Sequence, residues 1–127
     1  MKRMELGRLG ERLARSYLEE KGYTVLSQNY RTKLGEIDLV VKKNETIIFV
    51  EVRTRSSAVY GTPQESIDRY KQEKLIRLAL QFCAHHYLYS QDLRFDVIAI
   101  TLQDNEPKIE HIPNAFWRKE KQRCYQR

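Results

Sequence analysis

The residues of this chain best suited to chemistry are two carboxylates, Asp38 and Glu51, in neighbouring segments rich in Val and Ile. Such segments predict β-strands, and the polar residues 42–46 between them predict a hairpin. If Asn44 and Glu45 form a two-residue turn, Asp38 lies opposite Glu51. Directly opposed residues have Cβ atoms roughly 4.5–5.5 Å apart. The two carboxylates are then close enough to share one divalent cation.

The two faces of this predicted hairpin differ in polarity, because side chains alternate along a strand. One face is wholly apolar and contains Ile37, Leu39, Val41, Ile48, Val50 and Val52. The other face is apolar near the turn and charged at its open end, where it contains Glu36, Asp38, Glu51 and Arg53. Close carboxylates that are buried without a partner are costly, and a metal ion relieves that cost. The alternative is a cross-strand ion pair between Glu36 and Arg53 with the remaining acids in water. Spacing leaves both alternatives open.

The segments around the hairpin predict a helix and a strand before it. Residues 5–21 carry apolar side chains every three or four positions, which predicts the first helix. Glu11 falls at the edge of that apolar stripe, so it faces either a site along the sheet or water. Residues 23–30 predict the first strand, and residues 31–33 predict a basic turn.

A second helix is predicted from an N-cap at Thr62, with Pro63 in its first turn, to about Tyr87. Its apolar arc contains Ile67, Tyr70, Leu75, Leu78, Ala79 and Phe82. Lys71 lies inside this arc, so its ammonium group either extends to solvent or binds an anion. Residues 53–62 predict a loop, and residues 94–100 and 108–112 predict two more strands. The order α-β-β-β-α-β-β predicts an α/β domain with a central mixed sheet of about five strands flanked by helices.

Length and composition bound the class of protein. The 127 residues, 41% hydrophobic and 31% charged, predict one folded domain over residues 1–116 and a basic tail over residues 117–127. No apolar run approaches the ~20 residues needed to cross a membrane, so we expect a cytoplasmic protein without a membrane partner. The net charge of +6 favours polyanions such as nucleic acid. Cys83 and Cys124 are expected to be free thiols.

Several short motifs, taken together and in chain order, resemble the YraN family of bacterial proteins. The motifs are Gly10-Glu11, Gly35-Glu36-Ile37-Asp38, Phe49-Val50-Glu51-Val52-Arg53-x-Arg55, Tyr60-Gly61 and Arg94-Phe95-Asp96-Val97. Each motif alone is weak, whereas their joint occurrence between about residues 7 and 116 is specific. The YraN family resembles the restriction-endonuclease-like superfamily, and archaeal Holliday-junction resolvases in particular. The resemblance therefore implies a restriction-endonuclease-like fold.

The resemblance also implies a metal-dependent nuclease that hydrolyses phosphodiester bonds. The superfamily signature is an acid on one strand, Glu/Asp-x-Lys on the next strand, and a glutamate from the first helix. Transferred to this sequence, it implies catalytic roles for Glu11, Asp38, Glu51 and Arg53. The implied cofactor is Mg²⁺ or Mn²⁺, bound by Asp38, Glu51 and the carbonyl of Val52. Glu36 is an additional acid near this pocket.

The resemblance implies nucleic acid as the partner, with DNA as the expected substrate and branched structures as a candidate class. The implied phosphate-binding residues are Arg31, Lys33, Arg55 and Lys71. Resolvases are homodimers, which implies a homodimer here. One departure is Arg53 at the lysine position, because arginine keeps its charge but does not act as a general base. Lys71 is a candidate substitute, and a non-catalytic nucleic-acid-binding module or a scaffold in a DNA-processing complex remains the alternative.

Overall fold

The computed structural model describes residues 2–56, 67–103 and 106–116. Within these residues the chain forms a five-stranded mixed sheet with one helix on each face, which confirms the predicted α/β class and element order. The two helices are α1 (Arg3–Glu20) and α2 (Arg69–His85). The strands are β1 (Thr24–Thr32), β2 (Gly35–Lys43), β3 (Thr46–Arg55), β4 (Asp92–Gln103) and β5 (Glu106–Ile112). Neither helix is long and apolar enough to cross a membrane.

The sheet order is β1-β2-β3-β4-β5, and only the pair β3 and β4 is parallel. Helix α2 provides the crossover that parallel neighbours require. The predicted hairpin between β2 and β3 is confirmed, because Lys43 pairs with Thr46 and Leu39 pairs with Val50. Asn44 in the turn has a φ of 55°, a left-handed conformation that asparagine tolerates well. Asp38 and Glu51 follow immediately after the last pair of this ladder.

Two apolar clusters hold the helices against opposite faces of the sheet. Helix α1 buries Ala14 and Leu18 against the strands, whereas α2 buries a longer row that ends with Phe82 and Cys83. Burying each large apolar side chain contributes roughly 1.5–3 kcal/mol. Helix α1 approaches the sheet closely at Gly10, where an added Cβ atom would overlap the side chain of Thr54. This close approach brings the next residue, Glu11, down to the level of the strands.

Helix α2 differs from its sequence prediction at its N-terminus. Asp68 is its N-cap: the backbone there is extended, and the side chain accepts a hydrogen bond of 2.8 Å from the Lys71 amide. Helical structure therefore starts at Arg69, and the predicted start at Thr62 and Pro63 lies outside the described residues. Tyr70 was expected on the buried arc but is 72% exposed, because it lies in the first turn, before the helix reaches the core.

The alternation of side chains along β1 and β2 is interrupted where Asn29 faces Asp38. Asn29 has a φ of 54° inside a strand, and the pairing passes from Gln28–Leu39 to Tyr30–Ile37 without it. The break in pairing coincides with a change of face in β2. Ile37 lies in the cluster beneath α2 and Leu39 in the cluster beneath α1, so the prediction that they share a face is wrong.

Three smaller predictions are also corrected by the structure. Arg31 and Thr32 extend β1 instead of forming a turn, and β3 continues through Arg55 where a loop was predicted. Strand pairing with β2 and β4 extends these elements beyond their apolar residues. Cys83 is disulfide-bonded and not a free thiol, because sequence spacing does not reveal which sulfur atoms meet in space. Cys124, Tyr60, Gly61 and the predicted tail lie outside the described residues.

Candidate metal centre

Four acidic side chains from three elements meet at the open end of the hairpin formed by β2 and β3. Carboxylate oxygens of Glu11, Glu36 and Asp38 lie within 4.8 Å of one another. Glu51 adjoins this group, because its carboxylate interacts with Asp38 both electrostatically and through a hydrogen bond. The structure thus brings together all three acids that the sequence analysis assigned to catalysis, and Glu36 lies among them. We call these four residues the carboxylate centre.

Asp38 has a strongly raised pKa. Burial raises its pKa from 3.8 to about 8, with further contributions from the negative charges of Glu51 and Glu11. The amide of Val52 opposes this shift by donating a hydrogen bond of 2.8 Å to Asp38 Oδ2. A carboxyl group with such a pKa holds a proton at neutral pH unless a cation replaces it. The amide of Val52 thus binds Asp38, and the role of the Val52 carbonyl as a metal ligand stays a prediction.

Glu51 is buried but is paired with two cations. Its side chain is 7% exposed, and its Oε2 atom lies 2.9 Å from Lys71 Nζ and 3.2 Å from Arg53 Nη2. A buried carboxylate needs such partners to remain charged. Of the two alternatives for Lys71, the structure shows anion binding, since α2 directs its ammonium group to the carboxylate centre and not only to solvent. Lys71 and Arg53 reach Glu51 from different elements.

Asn29 connects two members of the carboxylate centre. Its side-chain amide donates hydrogen bonds of 3.2 Å to Glu11 Oε1 and 2.9 Å to Glu36 Oε1. Arg31 donates two more, of 3.0 and 2.6 Å, to Glu36 Oε2, and this pairing holds the pKa of Glu36 below its usual value. Both oxygens of Glu36 are therefore already occupied by donors. Asn29 was not predicted as a site residue, because the strand pattern of β1 does not reveal its left-handed backbone conformation.

The four residues predicted to bind phosphate occupy different environments. Lys33 is exposed in the turn between β1 and β2. Arg31 is also largely exposed but is paired with Glu36, as Lys71 is paired with Glu51. Arg55 contacts Thr101 on β4, with 3.5 Å between Nε and Oγ1. Only Lys33 thus projects from the surface without a contact to the carboxylate centre or the sheet.

Two clefts adjoin the carboxylate centre. The cleft beside α2, with a volume of about 400 Å³, is lined by Gly35, Glu36, Asp38, Glu51, Tyr70, Lys71, Lys74, Leu75 and Leu78. The cleft beside α1, with a volume of about 580 Å³, is lined by Glu5, Arg8, Glu11, Arg12, Gln28 and Asn29. These volumes are in the range of ligand-binding clefts. The carboxylate centre contributes Glu11 to the cleft beside α1 and its other three acids to the cleft beside α2.

A second polar cluster surrounds Asp96 and connects neighbouring elements of the fold by hydrogen bonds. Burial acts to raise the pKa of Asp96, but hydrogen bonds from His111 and Arg94 outweigh it and leave the pKa below its usual value. The distances are 2.7 Å from His111 Nε2 and 2.8 Å from two nitrogens of Arg94, and the Asn114 amide donates a further bond of 3.0 Å. The motif that starts at Arg94 therefore ties β4 to β5 and to the segment that follows β5.

Comparisons with known proteins give consistent similarities over most of the chain. The sequence model of Uncharacterised protein family UPF0102 matches residues 10–100. A UPF0102 protein from Alkaliphilus metalliredigens is 49% identical over 111 residues, covering 87% of this chain and 96% of that protein. UPF0102 proteins from Alkaliphilus oremlandii and Anaeromyxobacter dehalogenans are 46% and 43% identical over 114 residues, covering 88% and 90% of this chain and 97% and 85% of those proteins. The matched span includes every residue of the carboxylate centre.

Proposed function

The chain belongs to the uncharacterised protein family UPF0102, and from that premise we propose that it is a metal-dependent nuclease that hydrolyses phosphodiester bonds in nucleic acid. The observation that supports this proposal most directly is the carboxylate centre itself. Asp38 is half-buried beside the buried Glu51, with the half-buried Glu11 and Glu36 next to it. Carboxylates that cluster with limited access to water repel one another, and a bound cation relieves that cost. Such an arrangement is typical of a site that binds a metal ion.

The donor set fits a hard divalent cation. Carboxylate oxygens are the ligands that Mg²⁺ and Mn²⁺ prefer. Asp38 is the proposed central ligand, with Glu51 and the Val52 carbonyl on β3 and Glu11 on α1 as the other donors. Glu36 is the least available acid, because Asn29 and Arg31 already occupy its oxygens. When bound, the cation supplies a Lewis acid that activates water and polarises the scissile phosphate.

The cations next to Glu51 have separate proposed roles. Arg53 keeps its positive charge at all relevant pH values, so it stabilises negative charge that develops on the phosphate but does not accept a proton. Lys71 Nζ, 2.9 Å from Glu51, takes the place of the lysine that the nuclease signature expects on the strand. It orients Glu51 and contacts the phosphate. Lys33, Arg31 and Arg55 contribute further phosphate contacts, which weaken as salt increases.

We propose DNA as the substrate, in the cytoplasm, with branched structures as the favoured class and a homodimer as the acting form. A two-fold assembly suits a junction that itself has two-fold symmetry. The net charge of +6 supports a polyanionic partner. A non-catalytic nucleic-acid-binding module is the second candidate, and the arginine at position 53 is the observation that favours it.

Cleavage assays with matched variants test the nuclease proposal. Labelled linear, flapped and four-way-junction DNA and matched RNA are incubated with the protein in Mg²⁺, Mn²⁺ or EDTA. We expect metal-dependent cleavage that Asp38→Asn and Glu51→Gln abolish, because each removes a ligand charge. Glu45→Gln, an exposed acid in the hairpin turn, is the control and retains activity. Binding without cleavage, unchanged in all variants, would contradict the nuclease and leave the binding module.

A further inference from the structure

An exposed aromatic side chain, Tyr70, is among the residues that line the cleft beside α2. Tyr70 is 72% exposed, although its neighbours in the next turns of the helix are buried. It lines the same cleft of about 400 Å³ as Asp38 and Glu51. An exposed aromatic ring that lines a cleft offers a flat face on which a planar group can stack. Tyr70 is therefore placed to contact a ligand that reaches the carboxylate centre from the α2 side.

The lining of this cleft combines apolar and charged side chains. Leu75 and Leu78 contribute buried apolar side chains, and Asp38 and Glu51 contribute carboxylates. Lys74 contributes a cation that makes no ion pair with another described residue. Its stem runs against the backbone of Gly35, where an added Cβ atom would lie 3.0 Å from Lys74 Cε. A ligand with a flat apolar part and an anionic part matches this lining.

We propose that the cleft binds one unpaired nucleotide next to the scissile phosphate, with its base stacked on Tyr70 and its phosphate near Lys74. Stacking on an aromatic side chain requires an exposed base face, which a nucleotide inside a duplex does not offer. The substrate class is therefore nucleic acid with unpaired nucleotides, such as single strands, flaps and junction centres. This inference rests on the proposed nucleic-acid function and adds a reason for the preference for branched structures.

Binding measurements in EDTA test the subsite without requiring cleavage or metal. Single-stranded oligonucleotides carrying 2-aminopurine report stacking through fluorescence quenching, and anisotropy at low salt gives the affinity. We expect Tyr70→Ala to weaken single-strand binding by about 5- to 150-fold and to remove the quenching, since a stacked base contributes roughly 1–3 kcal/mol. Tyr70→Phe keeps the ring and retains both signals. Tyr87→Ala is the control, because Tyr87 is 80% exposed beyond the other end of α2.

The outcomes separate the subsite from the nuclease. Single-strand affinity and quenching that persist in Tyr70→Ala would overturn the subsite, whatever the cleavage assay shows. Equal losses of single-strand and fully paired duplex binding in Tyr70→Ala would overturn it as well, because stacking acts only on unpaired bases. Selective loss in Tyr70→Ala supports the subsite even if the protein does not cleave. Failure of the wild-type protein to bind nucleic acid of any kind would overturn both proposals.

Discussion

Burial and the neighbouring charges of Glu51 and Glu11 together favour the protonated form of Asp38. Without a bound cation, the charged form of this carboxyl group is unfavourable, so the group keeps its proton at neutral pH. Its pKa of about 8 reflects this cost. Glu51 avoids the same cost through Lys71 and Arg53. Two adjacent carboxylates thus have different partners, and a metal ion at the proposed site would have to displace the proton of Asp38.

This difference predicts that Asp38→Asn stabilises the metal-free protein at high pH. Because the folded-state pKa of Asp38 is raised above 3.8, its contribution to stability is fully present below that pH and is lost as pH rises to about 8. Asparagine resembles the protonated carboxyl group and has no such loss. In EDTA we expect chemical denaturation to show a higher free energy of unfolding for the variant than for wild type at pH 8.5, by on the order of a few kcal/mol, and a smaller difference at pH 5. Equal or lower stability at pH 8.5 would contradict this account.

Asn29 is predicted to position Glu11 and Glu36 through its amide. Asn29→Gly keeps the left-handed backbone, which glycine adopts freely, but removes both hydrogen bonds. We expect the affinity for Mn²⁺ to fall about tenfold, as is typical when a group that orients ligands is lost. Asn44→Gly is the matched control, since Asn44 has a φ of 55° in the hairpin turn, away from the carboxylate centre. Equal Mn²⁺ affinities for the two variants would exclude this role.

Helix α1 and the hairpin were predictable for different reasons. A two-residue turn fixes pairing by symmetry, so the neighbours of Asp38 followed from the position of Asn44. The apolar stripe of α1 placed Glu11 at its edge but left open whether it faced water or the sheet. What the sequence could not reveal is the interruption at Asn29. The strand pattern carries no signal for a φ of 54° inside β1. The exposure of Tyr70 was equally hidden, since periodicity does not show where a helix first meets the core.

The close packing of α1 against the sheet predicts opposite effects on stability for two glycine substitutions in this helix. Gly10→Ala places a methyl group against Thr54, so we expect a loss of roughly 1–3 kcal/mol in the free energy of unfolding. Gly7→Ala meets no atom within 4 Å and is expected to stabilise the helix by roughly 0.5–1 kcal/mol. Chemical denaturation of both variants checks these values. The same sign for both changes would show that close packing at Gly10 does not hold α1 in place.

The fold places the carboxylate centre where elements from both faces of the sheet meet. Helix α1 contributes Glu11 and one cleft, and α2 contributes Lys71 and the other cleft. The resemblance to the YraN family is confirmed, because the relatives that match most of the chain are UPF0102 proteins. Family membership alone names no reaction, so the proposed chemistry depends on the carboxylate centre and on what it binds.

Calorimetric titration with Mn²⁺ at pH 7 tests most directly whether the carboxylate centre binds metal. Repeating the titration in buffers of different ionisation enthalpy counts the protons released. We predict one site that releases close to one proton, because Asp38 must lose its proton to bind the cation. Asp38→Asn and Glu11→Gln remove binding, and Glu45→Gln retains it. Absent Mn²⁺ binding, or binding that Asp38→Asn leaves unchanged, would contradict the account.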